Sequence, residues 1–298
     1  MSDGPTADPS DPVAANGPDG LVLVDKPQGI TSHDAVALVR RALGTRKVGH
    51  AGTLDPMATG LLLMGVGRAT RLLRFLGDLA KTYEGEGILG VETDTLDADG
   101  STVRTATEDQ VATVTDADLR AAMADLTGHI EQIPPAYSAV KVRGERLYRA
   151  ARRGEVLEAS PRQVRVDAFD LAWFERPRFG FEVRCGSGTY VRSLVAEAGA
   201  RLGCGAHLAA LRRTVIGPFS VADARPPAEP GTPLPLERAV SHLPCQDLDV
   251  EEARVARHGS ILGPAGLAGP YRVRDPDGRF IGVYRDQGTK AVPEVIVA

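Results

Sequence analysis

The segment "RPPAEPGTPLP", from Arg225 to Pro235, most restricts how this 298-residue chain can fold. Its five prolines and one glycine cannot continue a helix or a central strand, because proline lacks the amide donor and clashes with the preceding turn. A boundary between structural units is therefore expected near this segment. We predict a main domain over residues 21–245 that contains this Pro-rich linker (225–235), and a small β-rich module over residues 246–298.

The first twenty residues are rich in Pro, Gly, Ser and Asp and show no hydrophobic periodicity, so residues 1–20 are predicted to be a disordered tail. No apolar run approaches the roughly 20 residues that cross a bilayer, and the N-terminus lacks the blocks of a signal peptide. We therefore expect a cytoplasmic protein without membrane association. Three separated cysteines, Cys185, Cys204 and Cys245, predict buried free thiols and no zinc site.

Hydrophobic periodicity and turn residues predict mixed α and β structure. The first unit is a strand at "LVLVDKP" followed by a helix at "TSHDAVALVRRALG", capped by Thr31 or Ser32 and ended by Gly44. Further strands are predicted at "TYEGEGILGVET", "VRVDAFDLAWFE", "VPEVIV" and "RFGFEVRCGSG", the last with Phe179, Phe181 and Val183 on one face. Helices are predicted at "TDADLRAAMADLTG", where Thr115 and Asp118 have the spacing of a capping box, and at "TYVRSLVAEAGARLG". The C-terminal module is expected to contain a hairpin that turns at Asp275 to Gly278.

The net charge of −4 hides a marked asymmetry along the chain. From Glu84 to Asp125 there are eleven acids and two arginines, whereas "KVRGERLYRAARR", from Lys141 to Arg153, contains six cations and one acid. Such a basic segment is typical of contact with phosphates, although a solvated helix face remains an alternative.

One acid, Asp55, stands alone in "HAGTLDPMATG" among small, apolar and hydroxyl residues. Pro56 favours an extended backbone at Asp55, and the glycines at 49 and 52 allow a sharp turn before it. The carboxylate is then held at the apex of a loop, where it can act as a nucleophile or a general base. An ordinary Asp-Pro turn, or an N-cap of the residues that follow, explains the same pattern.

Two stretches resemble ligand-binding motifs but lack residues that those motifs require. "TDTLDADG" mimics part of a calcium loop with Asp97, Asp99 and Gly100, but the position of the bidentate glutamate is Ala106, so a polar turn between strands is the better interpretation. "GVGRAT" lacks the rest of a dinucleotide fingerprint. The sequence therefore indicates neither a metal nor a cofactor.

Several long motifs occur in an order that resembles a known family. "KVGHAGTLDPMATGLL" is similar to the signature motif of bacterial tRNA pseudouridine 55 synthases, the TruB family. The segments "LVLVDKPQGITSHDAV", "KTYEGEGILGVETDTLDADG", "IEQIPPAYSAVKVRGERLYRAARRGE", "CGSGTYVRSLVAEAGARLGCGAHLAALRRT" and "DGRFIGVY" also resemble that family. The resemblance runs from about Leu21 to the C-terminus.

The resemblance implies an α+β fold: a pseudouridine synthase catalytic domain (21–245) built on a mixed, largely antiparallel sheet with flanking helices. A small PUA-like RNA-binding domain (246–298) follows it. It implies a monomer that acts without cofactor or metal on the T arm of tRNA. The alternatives are a related synthase acting on another RNA, or a non-catalytic RNA-binding or RNA-folding protein.

The resemblance also assigns roles to individual residues. Asp55 is the catalytic aspartate, Tyr83 stacks on the flipped base, and Arg192 pairs with Asp55. His50 contacts RNA, Tyr190 lines the pocket, Leu211 packs near the base, and Lys26 is mainly architectural. The basic segment, about residues 130–160, becomes an RNA-binding insertion, with phosphate contacts expected from Lys141, Arg149, Arg152 and Arg153, while the acidic segment faces away from RNA.

Without the resemblance, Tyr83 is better explained as an ordinary strand aromatic and Arg192 as a surface helix residue. Asp55 must be ionised whether it attacks C1′ or takes a proton from the sugar to give a glycal, and the sequence does not choose between these routes. An arginine partner is expected to favour ionisation by lowering the pKa of Asp55.

Overall fold

The computed structural model describes residues 17–138, 140–142, 144–151, 153–155, 157 and 159–298, with the backbone alone at Lys141 and Arg146. The tail predicted to be disordered lies almost entirely outside the described residues, as do Arg152 and the side chain of Lys141.

Seventeen strands are present in the described part of the chain. They are β1 (Gly20–Lys26), β2 (Val48–Ala51), β3 (Thr59–Val66), β4 (Lys81–Leu89), β5 (Val91–Thr93), β6 (Thr102–Thr105), β7 (Gly128–Gln132), β8 (Lys141–Val142), β9 (Glu145–Arg146), β10 (Arg162–Glu175), β11 (Arg178–Cys185), β12 (Ala206–Ile216), β13 (Phe219–Ser220), β14 (Cys245–Asp247), β15 (Pro270–Arg274), β16 (Phe280–Gln287) and β17 (Lys290–Ile296).

The α-helices are α1 (Ser32–Ala42), α2 (Glu108–Ala112), α3 (Asp116–Ala124), α4 (Leu147–Ala151), α5 (Val191–Arg201) and α6 (Val250–Ala256). Short 3₁₀ turns lie at Gly67–Arg71, Leu73–Phe75, Val221–Asp223 and Leu236–Val240. Capping boxes begin α1 at Thr31 and α3 at Thr115, each formed with an aspartate three residues later. These starts agree with the sequence predictions.

A nine-stranded sheet forms the centre of the described fold, in the order β1-β3-β12-β4-β11-β10-β7, with β2 added to β3 and β13 to β12. The β3–β12 pair is parallel and the other named pairs in this sheet are antiparallel. The predicted mixed, largely antiparallel sheet with flanking helices is therefore confirmed.

Strand β3 was not predicted from the sequence. Its residues Leu61 to Met64 are fully buried, because α1 packs on one face of the strand and a second apolar cluster on the other. A strand buried on both faces reads as a continuous apolar run rather than an alternating one. For that reason the run after Asp55 gave no strand periodicity.

On the neighbouring part of the sheet, α3 and α5 cover the face that carries Phe179, Phe181 and Val183. These three side chains are 0–2% exposed, as their alternation predicts. Gly85 in β4 is needed opposite them, since a Cβ there would lie 2.3 Å from the Phe181 ring. The large rings thus fill the space that the missing side chain leaves.

The Pro-rich segment 225–235 is an ordered connection. Its two ends pair with the edge of β1: Leu234 exchanges backbone hydrogen bonds with Leu21, and Arg225 bonds to Leu23 and Asp25. The prolines suit this position because an edge contact needs only some of the backbone donors. The segment therefore covers the edge of the central sheet.

The C-terminal module has a four-stranded sheet in the order β14-β15-β16-β17, and the predicted hairpin turns at Asp275 to Gly278. Val283, Val295 and Val297 belong to the same buried cluster as Leu61 and Leu63 of β3. The module thus shares a core with the main sheet. Strand β14 spans the boundary predicted at 245/246, and the domain limits remain a prediction.

Cys185 and Cys204 are buried free thiols, as predicted, whereas Cys245 is half-buried. No helix among the described residues is long and apolar enough to cross a membrane.

Candidate active site

Asp55 lies in the connection between β2 and β3. Gly52 turns the chain with φ of +80°, and the amide of Ala58 donates to the Asp55 carbonyl at 3.1 Å, which closes a tight turn. Because a strand and not a helix follows at Thr59, Asp55 is not an N-cap. Of the two structural alternatives to a catalytic role, the Asp-Pro turn and the N-cap, only the turn is compatible with the structure.

The backbone on both sides of Asp55 is held by polar side chains. The Ser32 hydroxyl donates to the Leu54 carbonyl (3.1 Å) and accepts from the Leu54 amide (2.9 Å). On the other side, the fully buried Lys26 Nζ donates to the carbonyls of Ile30 (2.8 Å) and Pro56 (3.4 Å). These contacts let Lys26 support the loop, its mainly architectural role remains a prediction, and no local pattern pointed to Ser32.

A third clamp comes from Arg213 in β12, which is 1% exposed. Its guanidinium donates to the carbonyls of Leu61 (2.7 Å) and Gly52 (3.0 Å). Gly60 permits the close approach of β3 to β12, since a Cβ there would lie 2.3 Å from the Arg213 carbonyl oxygen. Arg213 thus ties the loop that carries Asp55 to the central sheet, and the sequence analysis did not single it out.

Arg192, at the start of α5, reaches Asp55. Its Nη2 lies 3.0 Å from the Asp55 carboxylate, and its Nη1 lies 3.3 Å from the carboxylate of Asp97. The same guanidinium donates to the carbonyls of Thr95 (2.8 Å) and Tyr137 (2.9 Å). The predicted pairing with Asp55 is confirmed, and Arg192 is buried rather than a surface helix residue.

Asp97 stands beside this site although its sequence pattern indicated only a polar turn. It is 5% exposed and accepts hydrogen bonds from the Thr95 hydroxyl (2.6 Å) and the Asp99 amide (3.2 Å). The polar turn predicted for "TDTLDADG" is present between β5 and β6, and Asp97 of that turn reaches Arg192. The expectation that the acidic segment faces away from RNA remains a prediction. Buried Arg192 needs a compensating charge, which Asp97 supplies.

The expected lowering of the Asp55 pKa is wrong in its net direction. Burial in the cavity wall raises the pKa of Asp55, while Arg192 opposes this, Asp97 adds to it, and Lys26 opposes it more weakly. Although 44% of the side-chain surface reaches the open cavity, desolvation exceeds the effect of the arginine. The ionised, reactive form is therefore lost at a higher pH than for an ordinary aspartate.

Asp55 and Arg192 open into a cavity of about 280 Å³. Five of the residues singled out in the sequence line it: Asp55, Tyr83, Tyr190, Arg192 and Leu211. A larger cavity of about 700 Å³ lies beside α5 and contains none of the residues singled out in the sequence. The smaller cavity is therefore the candidate active site.

The aromatic and apolar parts of the wall come from the sheet and from the start of α5. Tyr83 lies in β4, only 9% exposed, with its ring centre 6.0 Å from the Arg213 guanidinium carbon. Burial raises the pKa of the Tyr83 hydroxyl, so that it is neutral at pH 7. Tyr190 is fixed by two hydrogen bonds between its backbone and the Gln132 side chain (2.9 and 3.2 Å).

The remaining predicted residues lie outside the cavity wall. His50 in β2 packs edge-on against His33, with ring centres 5.6 Å apart. Arg149 is exposed on α4, and Arg153 forms ion pairs with Glu145 (2.7 Å) and Glu155 (2.8 Å). No cluster of three or more potential metal ligands exists among the described residues.

Solved structures with a similar fold include an H/ACA RNP bound to a substrate RNA containing 2′-deoxyuridine, with a TM-score of 0.69 and 22% identity over 94% of this chain and 85% of that chain. A Cbf5-Nop10-Gar1 complex gives a TM-score of 0.70 and 25% identity over 94% of this chain and 84% of that chain. The fold, with one carboxylate at a cavity beside the central sheet, is that of a pseudouridine synthase.

Sequence comparison is more specific. Residues 40–191 match the family "TruB family pseudouridylate synthase (N terminal domain)", and residues 243–298 match "tRNA Pseudouridine synthase II, C terminal". The tRNA pseudouridine synthase B of Thermobifida fusca is 46% identical over 94% of this chain and 99% of its own length, and that of Opitutus terrae is 52% identical over 69% and 84%. The chain belongs to the TruB family of pseudouridylate synthases.

Proposed function

We propose that this protein converts uridine 55 in the T loop of tRNA to pseudouridine, with Asp55 as the catalytic residue. The observation that carries the proposal is the single carboxylate of Asp55, held 3.0 Å from Arg192 in a cavity walled by Tyr83, in a chain of this family. The remaining expectations belong to the proposal: tRNA as the partner, a monomer, and action in the cytoplasm. Residues 246–298 would form the PUA-like RNA-binding domain.

The reaction is an isomerisation that needs no outside donor. The bond from C1′ to N1 breaks, the base turns, a bond from C1′ to C5 forms, and the proton from C5 is lost while N1 gains one. Asp55 starts it either by attacking C1′ or by taking a proton from the sugar. Both routes use the ionised carboxylate, and Arg192 and Lys26 favour that form against the desolvation of the site.

The uridine must leave its stack before it can enter the cavity, which costs a few kcal/mol. An aromatic ring that stacks on a base contributes roughly 1–3 kcal/mol. Tyr83 in the cavity wall is placed for this contact and would offset much of the cost. Tyr83 belongs to the large buried cluster beside the sheet, and this packing restricts its ring before the RNA binds.

The proposal is tested by incubating the purified protein with a tRNA transcript that carries 5-tritiated uridine. Tritium release from C5 and a single new pseudouridine at position 55 of the modified transcript are expected. Pseudouridine at another position, or in a different cellular RNA, would show that the proposed substrate is wrong while the reaction is right. No tritium release from any RNA would refute the assigned activity.

The basic segment gives a separate prediction about RNA binding. Among the described residues Arg149 forms no ion pair, whereas Arg153 is already paired with two glutamates. Arg149→Gln is expected to weaken tRNA binding several-fold and to reduce the slope of log K against log salt by about 1, as for the loss of one phosphate contact. Filter binding between 50 and 300 mM salt measures this.

Arg153→Gln is the matched control in the same segment and should change the slope less, because its charge is compensated within the protein. Equal slopes for wild type and Arg149→Gln would show that this part of the segment is a solvated surface.

A further inference from the structure

Lys81 is a buried cation in the cavity wall to which no role has been given. It opens β4, two residues before Tyr83 and on the same face of the strand, and is 7% exposed. Its Nζ donates to the Gly77 carbonyl at 2.5 Å. An ammonium group has three donors, and among the described residues Lys81 has no carboxylate within ion-pair distance.

Among the described residues, the groups around Lys81 include no buried carboxylate. They are Arg213 of β12, Cys185 of β11, Asp78 in the turn before β4, and Tyr83. Asp78 is exposed, and burial raises the pKa of the Cys185 thiol to about 11, so that the thiol is neutral. Arg213 has no carboxylate partner among the described residues, and its donors bind backbone carbonyls.

Burial and the nearby Arg213 lower the pKa of Lys81 to about 8. The protein thus holds a largely desolvated ammonium, and the exposed Asp78 offsets this desolvation only weakly. A methionine of similar length would fill the same space without that cost. An anion that enters the cavity would compensate for the desolvation of the ammonium, because it would pair with the positive charge and accept its hydrogen bonds.

We propose that Lys81 binds the phosphodiester next to the flipped uridine, with a non-bridging oxygen accepting from Nζ. The proposal rests on the proposed function, because it takes the ligand to be the RNA substrate. Along β4, Lys81 and Tyr83 are about 7 Å apart, so a nucleotide whose base stacks on Tyr83 carries its phosphate toward Lys81.

The size and lining of the cavity agree with a nucleotide as its occupant. About 280 Å³ accommodates a single nucleotide unit, and Asp55 lies in the same wall, where it would meet the sugar between base and phosphate. The loop Gly186-Ser187-Gly188 lines the cavity beside Lys81, with Gly188 at φ of +85°, and nothing occupies the space where a Cβ on Gly188 would lie. The polar backbone of this loop can therefore approach a phosphate closely.

A chemical double-mutant cycle tests the contact. T-arm RNAs are prepared with a neutral methylphosphonate at the linkage 5′ or 3′ to the target uridine, and kcat/KM is measured by tritium release for wild type and Lys81→Met. For one of the two linkages the neutral RNA should be roughly ten- to a hundredfold poorer with wild type but little changed with Lys81→Met. The exposed Lys47→Met is the matched control and should keep the full effect.

The pH dependence and a conservative variant separate binding from a structural role. With wild type, kcat/KM should fall as the pH rises above about 8, since the phosphate binds the protonated form of Lys81. Lys81→Arg stays charged, so it should restore most of the activity lost in Lys81→Met and remove this alkaline decline.

The results distinguish the inference from the proposed function. If wild type releases tritium from the all-phosphate RNA but neither methylphosphonate couples to Lys81, the phosphate contact is wrong and the function stands. The same conclusion follows if Lys81→Arg keeps the wild-type alkaline decline. If wild type does not release tritium at all, the proposed function fails.

Discussion

Asp55→Asn is expected to abolish tritium release from tRNA carrying 5-tritiated uridine, with kcat at least about ten-thousandfold lower. The amide has the size of the carboxylate and its oxygen can still accept from Arg192 at the 3.0 Å position. It can neither attack C1′ nor accept a proton from the sugar, so neither reaction route can begin. Binding of tRNA should remain within a few-fold of wild type, because the negative charge of Asp55 does not attract RNA.

Asp99→Asn is a matched control for that variant. It makes the same chemical change at an exposed aspartate, outside the residues that line the cavity. Its turnover should equal that of wild type. Turnover by Asp55→Asn at the wild-type rate would remove Asp55 from the reaction, and a loss of RNA binding by the same variant would point to a structural role instead.

Local sequence signals predicted the parts of the fold that depend on neighbours along the chain. The capping boxes at Thr31 and Thr115 and the alternation from Phe179 to Val183 each act within a few residues, so the pattern and the structure agree. Asp55 was found for a related reason, since Pro56 and Gly52 mark its turn in the sequence itself. The run from Leu61 to Met64 gave no such signal because both faces of β3 are buried.

The site beyond Asp55 depends on contacts that are distant in sequence. Asp97 and Arg192 are 95 positions apart, and neither the polar turn at 94–100 nor the start of α5 shows by itself that the two meet. Arg213 and Lys81 likewise reach the cavity only because β12 and β4 pair in the central sheet. The family resemblance supplied the pairing of Arg192 with Asp55, but not the burial that raises the pKa of Asp55.

Arg192 joins three parts of the chain that the sequence presents separately. It contacts the loop of Asp55, the turn of Thr95 and Asp97, and the carbonyl of Tyr137, which lies within the basic segment. With Arg192 removed, the carboxylates of Asp55 and Asp97 would share a partly desolvated region without a cation between them. The position of the catalytic carboxylate and its charge state therefore depend on one guanidinium.

Arg192→Met is accordingly expected to reduce kcat by roughly a hundredfold or more at pH 7 and to move the acid limb of the rate profile to higher pH. The sign follows from the groups around Asp55: Arg192 lowers its pKa while burial and Asp97 raise it, so removal of the arginine leaves only Lys26 in opposition. The ionised form of Asp55 is then reached at a higher pH than in wild type. The kcat profile from pH 5 to 9 measures both effects.

The double variant Arg192→Met/Asp97→Asn separates this electrostatic effect from damage to the fold. Removing the second carboxylate relieves the repulsion, so the acid limb should return toward the wild-type position even where kcat stays low. Breaking a buried ion pair also destabilises a protein by about 3–5 kcal/mol, so thermal unfolding of each variant is measured beside its activity. Arg201→Met, on the same helix but with an exposed ion pair, should leave both the profile and the unfolding temperature nearly unchanged. An acid limb that does not move in Arg192→Met would mean that the arginine acts on Asp55 only by holding its position, and not through its charge.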